Sequence, residues 1–287
     1  TLICGGHGLF VGVPGLAKTR LVETLATVFG LDSRRGQCTP DLMPADILGS
    51  EVLEEDEHGH RAFRFVGGPV FTQLLMADEI NRASPRTQSA LLQAMQEHSV
   101  SVGGATHPLP EPFHVLATQN PLEQEGTYPL PEAQLDRFLL QIDIGYPDRR
   151  AERDILLATT GPHDTQPQTA LSASDLQRAQ ALVRRLPVGD RVVEAILDLV
   201  RNGRPEQSEV DAVREQVAWG PGPRASQALM LGARARALLD GRHAPSVADV
   251  AALAPPVLRH RMALTFAARA EGASVDDLIA RLCQPLQ

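Results

Sequence analysis

Gly8-Leu9-Phe10-Val11-Gly12-Val13-Pro14-Gly15-Leu16-Ala17-Lys18-Thr19 is the stretch on which the reading of this chain turns. Four apolar residues of strand character lead into a glycine-bearing loop, and a helical pattern follows to Val28 before Gly30. Strand, loop and helix in that order let backbone N–H groups and a helix N-terminus wrap phosphate groups. On this pattern Gly12, Val13, Pro14, Gly15, Leu16, Ala17, Lys18 and Thr19 form the cradle. Lys18 reaches the β and γ phosphates of a bound ATP, and the Thr19 hydroxyl holds Mg²⁺. The strict pattern has glycine before the lysine, where this chain has Ala17; a methyl fits there if the residue already has helical φ.

Composition singles out the same position. The chain has 27 Lys and Arg residues together, and Lys18 is the one lysine among them. A bias toward arginine accounts for the other basic positions but not for the exception. A compact ammonium can point into a phosphate cradle that a planar, forked guanidinium does not fit.

Moving outward, residues 74–77, 114–118 and 139–144 are continuous apolar runs suited to parallel strands buried on both faces. The first continues as Met76-Ala77-Asp78-Glu79, ending in two carboxylates. Asp78 is placed to meet the metal's water shell and Glu79 to activate the attacking water. The second ends Thr118-Gln119-Asn120-Pro121, where Asn120 could orient that water; Asn-Pro is also a turn starter, and both roles stay open. Ser84 and Pro85 open a helix that runs to about Glu97. Residues 51–53 and 63–66 flank an acidic turn at 56–59, and residues 100–102 and 106–109 flank Gly103-Gly104. Both read as inserted β-hairpins.

From Tyr146-Pro147 strand signals cease and the chain becomes Ala-, Arg- and Leu-rich with helical spacing. Ser172 and Ser174 with Asp175, Ser246 with Asp249, and Ser274 with Asp277 mark helix starts. Residues 160–169 read as a loop. The expected architecture is α/β: a nucleotide-binding core over residues 1–146, with a parallel sheet, flanking helices and two hairpins, followed by an all-helical lid domain over residues 147–287. A chain of 287 residues suits two cores better than one.

Charge narrows the function classes. With 43% hydrophobic and 22% charged residues the chain has the composition of an ordinary folded protein. A formal net charge of -8 argues against broad binding to a nucleic-acid backbone. The hairpin tips, acidic at 56–59 and Gly103-Gly104 in the other, carry no base-stacking aromatics. Cys4, Cys38 and Cys283 have no paired spacing, so no disulfide framework or zinc site is expected and a reducing cytoplasm fits. No apolar run reaches the roughly 20 residues needed to span a bilayer. The single lysine, used in the phosphate loop, excludes the NKxD motif that reads guanine.

With these residues in order, the chain resembles the AAA+ ATPases, and within them the MoxR family. The resemblance rests on GVPGLAKT, TPDLMPADILGSEVL, FRFVGGPVF, ADEINRA, TQSALLQAMQE, ATQNP, EQEGTYPLPEAQLDRF and GPRAS, which together span most of the chain. It implies that Asn120 is sensor 1, that Arg137 is the arginine finger reaching a neighbouring subunit's γ-phosphate, and that Arg224 is sensor 2 in the helical lid. It implies a ring-forming Mg²⁺-dependent ATPase, expected as a hexamer, that acts chaperone-like on client proteins, often with a partner carrying a von Willebrand factor A domain. Arg82 is a further interface candidate, and Arg149 and Arg150 are near the expected domain junction. Family members carry a segment before the first strand that helps hold the adenine, so Thr1 is not expected to be the natural start. Two other classes stand beside this expectation: a nucleotide-dependent binding switch, against which Glu79 and Arg137 speak, and a nucleic-acid motor, against which the hairpin tips speak.

Overall fold

The apolar run at the head of the chain forms β1 (Gly8–Gly12), and α1 (Lys18–Val28) begins at the lysine itself. The structure, a computed structural model, describes residues 1–55, 60–123, 126–161 and 166–286. After α1 come β2 (Ser33–Gln37), α2 (Pro44–Leu48), the hairpin β3 (Gly49–Glu55) and β4 (Arg61–Gly67), and then β5 (Leu74–Asp78). α3 (Pro85–Glu97) leads to the second hairpin, β6 (Ser99–Val102) and β7 (Ala105–Pro108). β8 (His114–Gln119), α4 (Glu132–Leu135) and β9 (Leu140–Ile144) complete the strand-bearing part.

Five strands form one sheet in the order β2-β5-β8-β1-β9, with β2 parallel to β5 and β5 parallel to β8. β5 is buried along its whole length and β8 along all but its last residue, the pattern expected of central strands covered on both faces. The edges are different. β9 is only half-buried, and β2, with the sequence SRRGQ, is mostly exposed. β2 carries no apolar signal, because an edge strand half-facing water needs none; sequence periodicity gave no strand there.

α3 begins as its sequence dictates: the Ser84 side chain accepts from Thr87 N, and Pro85 occupies the first turn, where its missing N–H costs nothing. Both hairpins form. β3 and β4 pair from Gly49↔Gly67 to Glu55↔Arg61; the acidic tip at 56–59 lies outside the described residues. β6 and β7 turn through Gly103 and Gly104 at φ 60° and 83°, the left-handed values a two-residue hairpin demands. The hairpins touch: the Phe65 and His107 rings stack 3.9 Å apart, and the Glu51 carboxylate lies where a side chain at Gly103 would begin.

The remainder is α5 (Arg149–Thr160), α6 (Ala173–Arg185), α7 (Asp190–Asn202), α8 (Asp211–Gln216), β10 (Val217–Trp219), α9 (Pro223–Leu239), α10 (Val247–Leu258), β11 (Ala263–Leu264), α11 (Phe266–Ala270) and α12 (Val275–Cys283). It is not purely helical, as the sequence led us to expect, because β10 and β11 pair antiparallel. Segments of two and three residues are too short to leave a periodic signal. Ser246 and Asp249 form the reciprocal capping box expected of them. Ser172 caps likewise: its hydroxyl accepts from Asp175 N, and Asp175 accepts from Ser172 N. Ser274 accepts from Asp276 N instead of forming a box with Asp277. Of the expected loop at 160–169, residues 162–165 lie outside the described residues.

The chain forms two compact units. A helical unit comprises Thr1–Leu9, Leu130–Gln141 and Gln177–Gln287; a sheet unit comprises Phe10–Pro129 and Ile142–Leu176. These units are discontinuous and do not coincide with the single division at 146/147 drawn from composition. The reason lies in packing. Leu139 and Leu140 press against the core of the helical unit, Cys4 packs with Val183 and Ala235, and Gln180 Nε2 donates to Leu2 O at 2.9 Å. That core is built by α7, α9, α10 and α12 around Ile196, Leu199, Leu229, Val250, Val257 and Ile279. Small residues on α9, among them Ala225, Ala228, Gly232 and Ala233, bring α10 close; Leu253 lies 3.0 Å from where a Cβ on Gly232 would sit.

Candidate functional site

Within the sheet unit, the C-terminal ends of β1, β5 and β8 open onto a cavity of about 410 Å³ lined by Pro14, Gly15, Leu16, Ala17, Lys18, Thr19, Arg35, Gln37, Asp78, Glu79, Thr118 and Asn120. This is the carboxyl edge of an open α/β sheet, where such folds bind ligands. Every residue expected from the phosphate loop and paired-carboxylate motifs is at or beside it; Gly12 and Val13 lead in from β1.

The loop's glycines have separate jobs. Gly15 sits at φ 83° in open space, so it supplies a conformation and not a clearance. A Cβ on Gly12 would fall 2.4 Å from Ile144 O, so β9 itself requires glycine there. Ala17 departs from expectation. It is not helical but left-handed, at φ 55° and ψ 25°, as the residue preceding α1. The turn from loop to helix needs that geometry whatever the side chain, and an alanine adopts it at a cost of roughly 1 to 2 kcal/mol. Glu79 is left-handed too, at φ 55° and ψ 50°. Two of the described positive-φ residues other than glycine therefore face one cavity, and backbone strain of this kind gathers at functional sites.

The Lys18 ammonium donates to Gly12 O at 2.5 Å. Burial pushes its pKa below the ordinary lysine value, while Asp78 and Glu79 pull it back up. Thr118 Oγ1 donates to Asp78 Oδ1 at 2.5 Å and also accepts from Glu79 N at 2.8 Å, so one hydroxyl fixes both carboxylate-bearing residues. Asp78 Oδ2 accepts from Arg35 Nη2 at 2.5 Å. Glu79 Oε2 accepts from Gln37 Nε2 at 2.8 Å and from Arg82 Nη1 at 3.1 Å. Asn120 is 4% exposed, and its Oδ1 accepts from Leu122 N at 3.1 Å. That bond is the turn-starting role; any role in the cavity falls to its amide nitrogen. Beneath the carboxylates the Cys38 thiol is pushed up to about 12, by burial first and then by Asp78 and Glu79, which leaves it protonated and inert.

Arg35, Gln37 and Thr118 were not singled out from sequence. Arg35 and Gln37 share one face of β2 two residues apart and reach across to β5, with Gln37 paired in register with Asp78. The alternation was readable only once a polar edge strand was placed there.

Thr19 and Asp78 are hard oxygen donors in one cavity, the small set that suits Mg²⁺, which binds through one or two side chains and keeps phosphates and waters for the rest. The open Gly15 turn and the N-terminus of the 11-residue α1 face the same space, so the residues present fit a nucleotide's phosphates with a divalent cation.

Residues 7–140 match the profile described as the ATPase family associated with various cellular activities (AAA), and residues 210–282 match the AAA lid domain. "Chaperone MoxR1" of Mycobacterium tuberculosis is 45% identical over 99% of this chain and 74% of its own length. The chain belongs to the MoxR family of AAA+ ATPases. "Protein MoxR" of Paracoccus denitrificans is 32% identical over 92% of the chain and 81% of its length. A solved structure from Cytophaga hutchinsonii, described as a candidate ATPase, superposes with a TM-score of 0.90 at 38% identity, covering 99% of this chain and 86% of that one. Nucleotide binding with a divalent metal is the property that this family implies.

The two further MoxR-family arginines belong to the helical unit. Arg137 follows α4, half-buried, and Arg224 lies in the first turn of α9. Arg224 Nε is 3.9 Å from Asp136 Oδ2, the carboxylate next to Arg137 in the chain. Arg149 and Arg150 open α5 and are exposed. Among the described residues no helix is long and apolar enough to cross a membrane.

Proposed function

We propose that this chain hydrolyses ATP as a subunit of an assembled ring, a hexamer by family resemblance, and uses the cycle to remodel client proteins in the cytoplasm. The observation that carries the reading is the convergence of Lys18, Thr19, Asp78 and Glu79 on one cavity at the sheet's carboxyl edge. In use, the loop N–H groups and Lys18 hold the phosphates, and Glu79 takes the proton from the attacking water. Asn120 orients that water through its amide nitrogen. Thr19 and Asp78 would hold a Mg²⁺ ion, which when bound would supply neutralisation of the charge on the phosphate oxygens. The sheet unit carries the nucleotide-binding core, and the helical unit, residues 130–141 included, acts as the lid, with Arg224 as sensor 2.

Arg137 is the residue that makes assembly matter. An arginine supplied in trans is worth about 10³ to 10⁵ in rate, or roughly 4 to 7 kcal/mol of barrier, so an isolated subunit turns over very slowly. The name of the Mycobacterium relative supports a chaperone-like role, and a von Willebrand factor A domain protein is the partner class to look for. The test is Mg²⁺-dependent ATP hydrolysis against protein concentration for the unaltered chain, Glu79→Gln, Arg137→Ala and an equal mixture of the two variants. Turnover that rises faster than linearly, is lost in each variant and returns in part on mixing is the expected result. Turnover strictly proportional to concentration, unchanged in Arg137→Ala, defeats the reading.

A further inference from the structure

One heavily bonded side chain in the helical unit is left unused by the proposed mechanism. Arg261, just beyond α10, is 1% exposed. Its guanidinium donates through Nε to Asp136 Oδ1 at 2.7 Å, and through Nη2 to Asp136 O at 3.1 Å and Phe138 O at 2.6 Å. Nη1 reaches Leu139 O at 3.2 Å and Val257 O at 2.7 Å, and it also lies 2.7 Å from His260 Nε2. Four of these bonds land on Asp136, Phe138 and Leu139, the residues that bracket Arg137.

A buried arginine that merely satisfied stray carbonyls would explain part of this. It would not explain why the Asp136 carboxylate is divided between two arginines. Oδ1 serves the buried Arg261 and Oδ2 faces Arg224 at 3.9 Å, whose side chain is 42% exposed. Burial alone disfavours the Arg261 charge, and Asp136 is the counter-charge that makes it tolerable. The fork geometry matters as well, since a planar guanidinium can hold one carboxylate oxygen together with the backbone carbonyls of Asp136, Phe138 and Leu139. Phe138, fully buried, anchors the same segment.

We propose that Arg261, acting through Asp136, is the positioning residue that holds the Arg137 segment on the helical unit and ties its placement to Arg224. Arg137 then moves with the helices that carry sensor 2. Withdrawal of Arg224 from Asp136 would alter the support of the arginine offered to the next subunit. This rests on the proposed assignment of Arg137 as a finger acting in trans.

Mixing experiments separate a fault in the finger from a fault in a subunit's own site. Arg261→Lys keeps the charge and loses the fork; Asp136→Asn keeps the shape and loses the charge. For each, ATP affinity, thermal unfolding and turnover are measured alone and in mixtures with Glu79→Gln and with Arg137→Ala. Expected is a kcat at least about tenfold lower, as for a misplaced catalytic group, with ATP affinity changed by less than about threefold. Turnover returns on mixing with Glu79→Gln, which supplies a sound finger, and not with Arg137→Ala. Rescue by Arg137→Ala but not by Glu79→Gln places the fault in the variant's own site and overturns the inference. So do turnover equal to the unaltered chain and loss of folding in both variants. If Arg137→Ala alone keeps full activity, the finger assignment itself fails and this inference with it, an outcome read from the control and independent of Arg261.

Discussion

Ala17 carries its left-handed backbone without the glycine that would carry it freely. Ala17→Gly removes a cost of roughly 1 to 2 kcal/mol in the folded state, and the added freedom of the unfolded chain returns about half of it. The expected net gain of about 0.5 to 1 kcal/mol should appear in differential scanning calorimetry as an unfolding midpoint raised by roughly 2 °C. At the next position, Lys18→Arg keeps the charge but presents a fork to a space that the lysine enters as a point. We expect nucleotide affinity to fall by at least about tenfold, measured by titration calorimetry; affinity within twofold of the unaltered chain would contradict the steric argument. Lys18 was legible because it is the sole lysine. The conformation of Ala17 was not, since an alanine before a helix looks helical until the loop's path is known.

Secondary-structure elements read unequally for a physical reason. β5 and β8 declare themselves because both faces are buried, whereas β2 is an edge whose side chains are there to contact Asp78 and Glu79. An exposed edge with polar contacts needs no buried face, so its residues show no hydrophobic period. α10 shows the opposite case, where local chemistry is plain in the sequence. Its box partner Asp249 also pairs with Arg242 at 2.7 Å and Arg236 at 3.2 Å, and its carboxyl is held down to about 2, chiefly by Arg242. Ser246→Ala should therefore cost about 1 kcal/mol, the ordinary loss of a cap. Asp249→Ala, which also strips two solvent-exposed arginines of their partner, should cost about 2 kcal/mol, the cap plus the screened ion pairs. Urea unfolding of the two variants in parallel checks the ordering, and equal losses would mean that the ion pairs add nothing to the cap.

For the whole molecule, the two-unit organisation hides a dependence on acidity. His260, 5% exposed, has its pKa pushed from 6.5 down to about 3, by burial first and by the adjoining Arg261 next. The unfolded chain takes up a proton at this ring below about pH 6.5, and the folded chain does not until about pH 3. Between those limits stability is lost as the pH is lowered, by up to about 1.4 kcal/mol per unit. His260→Gln should flatten that part of the profile, read as unfolding free energy at about pH 7 and about pH 5.5; an unchanged slope would assign the acid sensitivity to other groups. The sequence conveyed which motifs would meet in one cavity, because each motif is local. It could not convey that residues near the head of the chain, residues 130–141 and the last helices would form one compact unit, because that grouping is made by distant contacts such as Leu139 N to His7 O.

The lone lysine has a practical meaning for the bench. An acylating reagent offered to these 287 residues finds a single ε-amine, and it is one at the mouth of the phosphate cradle, with burial favouring its neutral, nucleophilic form. Acylation located at Lys18 by peptide mapping, apart from any on an α-amine, becomes a direct readout of access to that cradle, and protection by added nucleotide reports its occupancy.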